Sequence, residues 1–249
     1  MLRSLFALLA FIALLAATPP APRAQEPSTL RYLTEEYYPY NFSANGTIQG
    51  LSADLLRLIW HKMGVPEQPI TILPWARAYE ETLLDPGTVL FSMARTPERE
   101  HLFRWVGPID TVRFVLFALA SNPLRLEDAT GLDHLSVGTV RGDVADLSLR
   151  ALRRPIRIEP VADMKQNLRK LDAGRLDLVA YEERSMRSML AEQGLDPERY
   201  KSVFLLKETD ICYALHYTTS PALVIRFQQA LDAIRASEDY AALLKKYLK

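Results

Sequence analysis

The sequence predicts an α/β fold of two lobes, each a mostly parallel sheet flanked by helices, on three observations. Short apolar runs of strand length alternate with amphipathic segments of helix length, and parallel neighbours need such crossover connections. A long apolar run over 112–120 ends in a polar, proline-containing stretch over 121–128, after which the alternation begins again. The composition is that of a folded globule, with 49% hydrophobic and 24% charged residues and no low-complexity tract.

The elements follow in order. A strand over 30–33 runs into an aromatic loop with Tyr37, Tyr38, Pro39, Tyr40 and Phe42, and Ser52 reads as the N-cap of a helix with Leu55, Leu56, Ile59 and Met63 on one face and Gly64 as its stop. A second strand covers 70–73, a second helix opens at Pro74 and ends near Asp85-Pro-Gly87, and a third strand covers 89–93. Beyond the crossing come strands at 135–138, 156–159 and 176–180, with helices over 144–152 and 164–172, Gly174 stopping the latter. Apolar runs at 203–206 and 212–217 precede two helices over 221–236 and 240–248. Those last helices have no sheet of their own to cover, so the chain is expected to return to the first lobe. The expected division is therefore 25–112 for the first lobe, 113–212 for the second and 213–249 for the return.

Residues 1–24 read as a secretory signal peptide: Arg3, an apolar core from Leu5 to Ala17, then Pro19, Pro20 and Pro22, with cleavage expected near Ala24. The core is shorter than the roughly twenty residues of a membrane span. Removing Arg3 and Arg23 from 30 basic residues leaves 28 against 30 acidic ones, so the mature chain is near neutral, and nothing points to nucleic acid as a partner. A single cysteine, Cys212, excludes an intrachain disulfide and leaves stability to core burial.

The most informative stretch is 91–108, where a strand leads into a turn presenting Arg99. Its planar, paired donors suit a carboxylate; locally it could equally cap a helix or pair with Glu98 or Glu100. His61, His101, His134 and His216 are scattered, so no metal site is expected, and no cofactor either, since Gly138-Thr-Val-Arg-Gly142 lacks the ending of a phosphate loop. The acceptor patterns at Asn41 and Asn45 are too short to carry weight.

Taken jointly, Tyr37-Tyr-Pro-Tyr40, Gly50-Leu-Ser-Ala-Asp-Leu-Leu56, Thr96-Pro-Glu-Arg-Glu100, Phe103-x-Trp-x-x-Pro108, Val137-Gly-x-Val-Arg-Gly142, Ala173-Gly-Arg-Leu-Asp177 and Leu243-Leu-Lys-Lys-Tyr-Leu248 resemble a periplasmic solute-binding protein of the polar amino acid type (family 3), the receptor of ATP-driven (ABC) importers. The resemblance covers the chain after residue 28. It implies the two-lobed periplasmic binding protein fold with two crossing strands as the hinge, ligand in the cleft and closure around it. It further implies that Arg99 grips a ligand carboxylate, Glu182 takes an ammonium, Tyr37 lies against the ligand and Trp75 walls the pocket.

The chain also departs from the pattern. Asp143 stands where a small hydroxyl is common; it would repel a ligand carboxylate, or it caps the helix from Val144 with Asp146 completing a capping-box-like pair. Ala94 replaces a frequent serine, leaving Ser92 as a hydroxyl contact. Arg77, Arg95 and Arg141 are extra cations that answer a further acidic group or pair with Glu80, Glu98 or Asp143. The expectation is a monomeric, exported, non-enzymatic receptor that captures a small carboxylate-bearing solute and passes it to a membrane permease. The alternatives are a periplasmic dehydratase-like enzyme acting on a cyclic carboxylic acid, with Glu182 or another cleft acid moving the proton, and a ligand-binding partner of a membrane sensor.

Overall fold

The computed structural model describes residues 26–248. The expected leader therefore lies outside the described residues, and among those described no helix is long and apolar enough to cross a membrane.

Among the described residues, ten strands and seven α-helices follow one another: β1 (Arg31–Thr34), β2 (Phe42–Ala44), β3 (Thr47–Gln49), α1 (Leu51–Lys62), β4 (Ile70–Ile72), α2 (Trp75–Leu84), β5 (Thr88–Ala94), β6 (Phe103–Leu119), β7 (Ser136–Val140), α3 (Val144–Ala151), β8 (Arg157–Val161), α4 (Met164–Asp172), β9 (Leu178–Glu182), α5 (Glu183–Glu192), β10 (Tyr200–His216), α6 (Pro221–Arg235) and α7 (Glu238–Tyr247). Eight strands form one sheet in the order β4-β1-β5-β10-β6-β9-β7-β8, and β2 and β3 make a separate hairpin.

The outer strands pair in parallel, β1 with β4 and β5, and β7 with β8 and β9. The centre differs: β6 and β10, 17 residues each, run antiparallel along their full lengths and stitch the two parallel groups together. Val112 and Cys212, where the lobes were expected to meet, both lie inside these strands. The runs at 203–206 and 212–217, read as two pieces, belong to one strand that ends at His216; the polar stretch Lys207 to Asp210 that interrupts its apolar pattern is held in the ladder by β6.

Successive side chains leave a strand on opposite faces, which sorts the core. On β1, Tyr32 joins the main core while Leu33 joins the cluster under α2; on β5, Val89 and Phe91 go one way, Leu90 and Met93 the other. Beyond the centre, Leu178 and Ala180 of β9 face the main core, and Val179 packs with Leu168, Leu171, Met186 and Leu190 of α4 and α5. Strands buried on both faces belong to sheets covered by helices on either side. Helices α6 and α7 pack against α1: Phe227 and Leu231 of α6 share a core with Leu56, Ile59 and Trp60, and Leu243 and Leu244 of α7 pack against it.

One local expectation is corrected. Ser52 is not the N-cap of α1; Gly50 is, at φ 121°, a conformation that side chains rarely adopt. A Cβ there would stand 2.4 Å from the Tyr40 carbonyl oxygen, so the aromatic loop lies directly on the glycine. Starting the helix early turns Ser52 inward, where its Oγ meets Ser92 Oγ at 2.7 Å and its carbonyl accepts from Tyr213 at 2.9 Å.

Candidate functional site

Loops at the strand ends of both parallel groups converge on one cleft, the place where open α/β sheets hold ligands. From one side come Glu35 and Tyr37 after β1, Trp75 at the start of α2, and Ser92 and Arg99 on and after β5; from the other come Asp143 at the start of α3 and Tyr181 on β9. The cavity among them is about 30 Å³, so the cleft is nearly shut.

Arg99 lies at its floor, 3% exposed. Its guanidinium sits 5.0 Å from the Trp75 ring centre and 5.2 Å from that of Tyr79, a cation held by aromatic faces. Nη1 donates to the Ala94 carbonyl at 3.3 Å and Nη2 to the Gly142 carbonyl, across the cleft, at 3.2 Å. Trp75 Nε1 donates to that same Gly142 oxygen at 3.1 Å. Arg99 Nε, though buried, has no partner among the described residues, and neither has the Tyr37 hydroxyl. Burial pushes the Arg99 pKa down, opposed by Tyr79, Asp143 and Glu35.

Two carboxylates share this floor. Asp143 caps α3, accepting from the Ala145 N–H at 2.5 Å, and Asp146 reaches back to the Gly142 N–H at 3.0 Å, one residue earlier than a capping box requires. Burial pushes Asp143 up to about 7 despite the Ala145 N–H and the Arg99 charge. Glu35 has no hydrogen bond or ion pair to its carboxylate among the described residues; desolvation, then the nearby Asp143, lift it to about 8 against the pull of Arg99. Its backbone carbonyl is fixed instead by Asn41 Nδ2 at 2.6 Å. Asn41 is fully buried, so its glycosylation-like pattern is structural.

Of the other residues singled out in the sequence, Tyr37, Trp75 and Ser92 line this cavity. Tyr37 packs on Tyr40 and Tyr181, with ring centres 5.2 and 6.4 Å away. Ser92 adopts φ 61° inside a strand, and its hydroxyl bonds Asn41 and Ser52, so it braces the aromatic loop against α1. Glu182 is 1% exposed but stands behind the wall: its carboxylate caps α5, accepting from the Arg184 and Ser185 N–H groups at 3.0 and 2.7 Å. Arg77 and Arg141 point away, Arg77 pairing with Glu81 at 2.8 Å and Arg141 donating to the Pro160 carbonyl at 3.3 Å. Arg95 pairs with Glu100 at 2.6 Å. Glu35 and Tyr181 are the site residues that sequence reasoning passed over. Among the described residues no cluster of His, Cys, Asp or Glu fits a metal ion.

Chemically, the floor is one fixed cation against a pair of aromatic rings, with two acids set near it. Such an arrangement complements a molecule that carries both an anionic and a cationic group.

Comparison with curated proteins gives no match. Among solved structures, a mutant of the arginine-binding protein ArgBP from T. maritima superposes with a TM-score of 0.77 at 19% identity, over 89% of this chain and 95% of that one. A histidine kinase sensor domain described as similar to periplasmic binding proteins gives 0.80 at 21%, over 88% and 96%. An ancestral amino acid-binding protein described as a precursor of cyclohexadienyl dehydratase gives 0.75 at 18%, over 89% and 96%. At these identities the likeness shows the periplasmic binding protein fold. The description "bacterial extracellular solute-binding proteins, family 3" belongs to the model that matches residues 30–249, and the chain is a member of that family.

Proposed function

We propose that the chain is an exported receptor that captures a small amino acid-like solute by closing its two lobes, 25–112 with 213–249 and 113–212, about β6 and β10, and delivers it in the periplasm to an ABC-type permease. The observation that carries the reading is Arg99: a buried guanidinium, packed against the adjoining rings of Trp75 and Tyr79, with a donor unspent. The solute's carboxylate takes the place of the Gly142 carbonyl on Arg99 Nη2 and uses the free Nε, a bidentate grip. Tyr37 and Trp75 wall it, and its ammonium falls to Glu35, with Asp143 beside it. Glu182, the expected ammonium partner, contributes through the helix it caps, and Ser92 through the loop it braces; Arg77 and Arg141 stay outside. The solute-binding family and the arginine-binding protein of the same fold support this reading. The expected leader supports export.

A thermal-shift screen of the mature chain against amino acids and small carboxylic acids tests it, since a ligand of the native state raises the melting temperature. A zwitterionic hit that is lost in Arg99→Ala supports the reading; hits confined to ligands without a carboxylate would sink it.

Glu35 favours a second reading. A cleft carboxyl that titrates near 8 suits general acid–base work, as the dehydratase-like alternative demands. Recovery of the hit by mass spectrometry separates the two: an intact ligand means a receptor, a ligand that has lost water means an enzyme. A ligand-binding partner of a membrane sensor is compatible with the same site and is supported by the sensor-domain fold alone.

A further inference from the structure

The cleft does not end at the Arg99 floor. Tyr181 borders that pocket and also two larger cavities that open beyond it, of about 340 and 410 Å³. Glu35, Trp75 and Val140 line both the floor and the 410 Å³ cavity, which in turn shares Met164, Lys165 and Tyr181 with the 340 Å³ groove, so the space leads from Arg99 outward through one cavity into the other. The floor itself, at about 30 Å³, is more than ten times smaller than either outer cavity. A head group seated there as Arg99 releases Gly142 leaves the ligand side chain to run into the outer cavities.

The outer groove has its own chemistry. Tyr38 and Phe42, ring centres 4.5 Å apart, form one side, with Tyr38 40% exposed, and Met164 and Met189 form the other. Methionine moulds itself to irregular apolar partners, and an exposed aromatic beside it marks a surface that gains by being covered. The charges at the rim are already engaged: Glu36 accepts from the Ser43 N–H at 3.1 Å, Asp163 caps α4, and Lys165 lies 3.7 Å from Glu192. The groove therefore offers the aromatic and thioether surface of Tyr38, Phe42, Met164 and Met189, framed by charged side chains that are already capping or paired.

We propose that this groove is a tail subsite, and that the ligand is an α-amino acid with a long alkyl or aryl side chain, its head at Arg99 and Glu35 and its tail running out past Tyr181 between the Tyr38–Phe42 and Met164–Met189 walls. The proposal rests on the reading of Arg99 as a carboxylate clamp. It makes the chain a receptor for amphipathic amino acids rather than small polar ones.

Calorimetric titration of the mature chain with L-alanine, L-phenylalanine, L-homophenylalanine and L-2-aminooctanoate tests it. Affinity is expected to rise from alanine to the longer ligands by roughly tenfold or more once an aryl ring is buried. Ser43→Trp, at an exposed position of the groove, is expected to abolish that gain and leave L-alanine binding as it was. Equal affinity across the series, or binding of alanine alone, overturns the tail subsite while leaving the clamp intact. An equal loss for every ligand in Ser43→Trp likewise overturns it. If no amino acid of any length binds, the clamp reading falls and the tail subsite with it.

Discussion

Arg99 and Gly142 meet across the cleft, with Nη2 of the one donating to the carbonyl of the other at 3.2 Å. The group best placed to grip a carboxylate is thus already bonded to a carbonyl of the opposite wall. A neutral acceptor holds a guanidinium less strongly than a carboxylate does, so on the proposed reading a ligand carboxylate would take its place.

Arg99→Ala is expected to weaken binding of a carboxylate ligand by about 3 kcal/mol or more, the cost of removing one partner of a buried charge pair. The fold should survive, because Arg99 is held by two carbonyls and two rings rather than by an ion pair. Arg77→Ala and Arg141→Ala serve as controls and should leave affinity unchanged, since both side chains point away from the cleft. Titration calorimetry of the three variants decides it: a comparable loss in all three would remove Arg99 from its special place.

Trp75→Phe keeps a ring over Arg99 and deletes the Nε1 bond to Gly142. The expected cost is about 1 kcal/mol from the shut state. Small-angle scattering of the ligand-free variant should then show a larger radius of gyration than the parent, with ligand restoring the compact value. An unchanged radius would mean that this bond does not hold the cleft shut.

Stability should fall as pH rises. Burial pushes Asp143 and Glu35 up to about 7 and about 8 in the native cleft, so from the ordinary carboxylate range at about pH 4 up to about pH 8 the native state holds more protons than the unfolded chain. Unfolding then releases protons, and raising the pH favours it. The melting temperature is therefore expected to decline from about pH 5 to about pH 8, with a flatter profile in Glu35→Gln. A cationic ligand at Glu35 should reverse the trend by favouring the ionised form, with protons released on binding. A melting profile identical in Glu35→Gln and the parent would show that Glu35 does not titrate as described.

Gly50→Ala is expected to lower stability by at least about 2 kcal/mol, because it combines a disfavoured φ of 121° with a Cβ 2.4 Å from a backbone oxygen that cannot yield without moving the Tyr37–Tyr40 loop. Chemical denaturation measures the loss. An affinity that falls further than stability would show that the loop geometry, and not only its packing, serves the site.

What the sequence disclosed was local. The Asp143 cap is readable because an N-cap is satisfied within a few residues of itself, and the alternation of elements is readable because side-chain period is a local property. What it hid depends on topology. Glu35 follows β1 and Arg99 follows β5, neighbours in the sheet and distant in the chain, so nothing in either stretch announces the other. Glu182 shows the same limit from the opposite side: its position by resemblance is right for an ammonium contact, yet the two N–H groups that engage it belong to α5, a helix the apolar pattern did not reveal. Ser52 failed as a cap because the decisive fact, a glycine free to take positive φ beneath Tyr40, is a tertiary one.

The pairing of β5 with β10 sets the order in which the molecule can be completed. A ribosome finishes β5 at Ala94, but the neighbour that closes its open edge begins only at Tyr200, and the helices that cover α1 come later still. For most of synthesis the early strands have an exposed edge and an uncovered apolar face, the condition in which chains associate wrongly. Contacts of such sequence separation also make folding slow. The first parallel group is thus completed only when nearly all of the chain has been made, and a truncation before the last two helices should yield an insoluble product rather than a smaller domain.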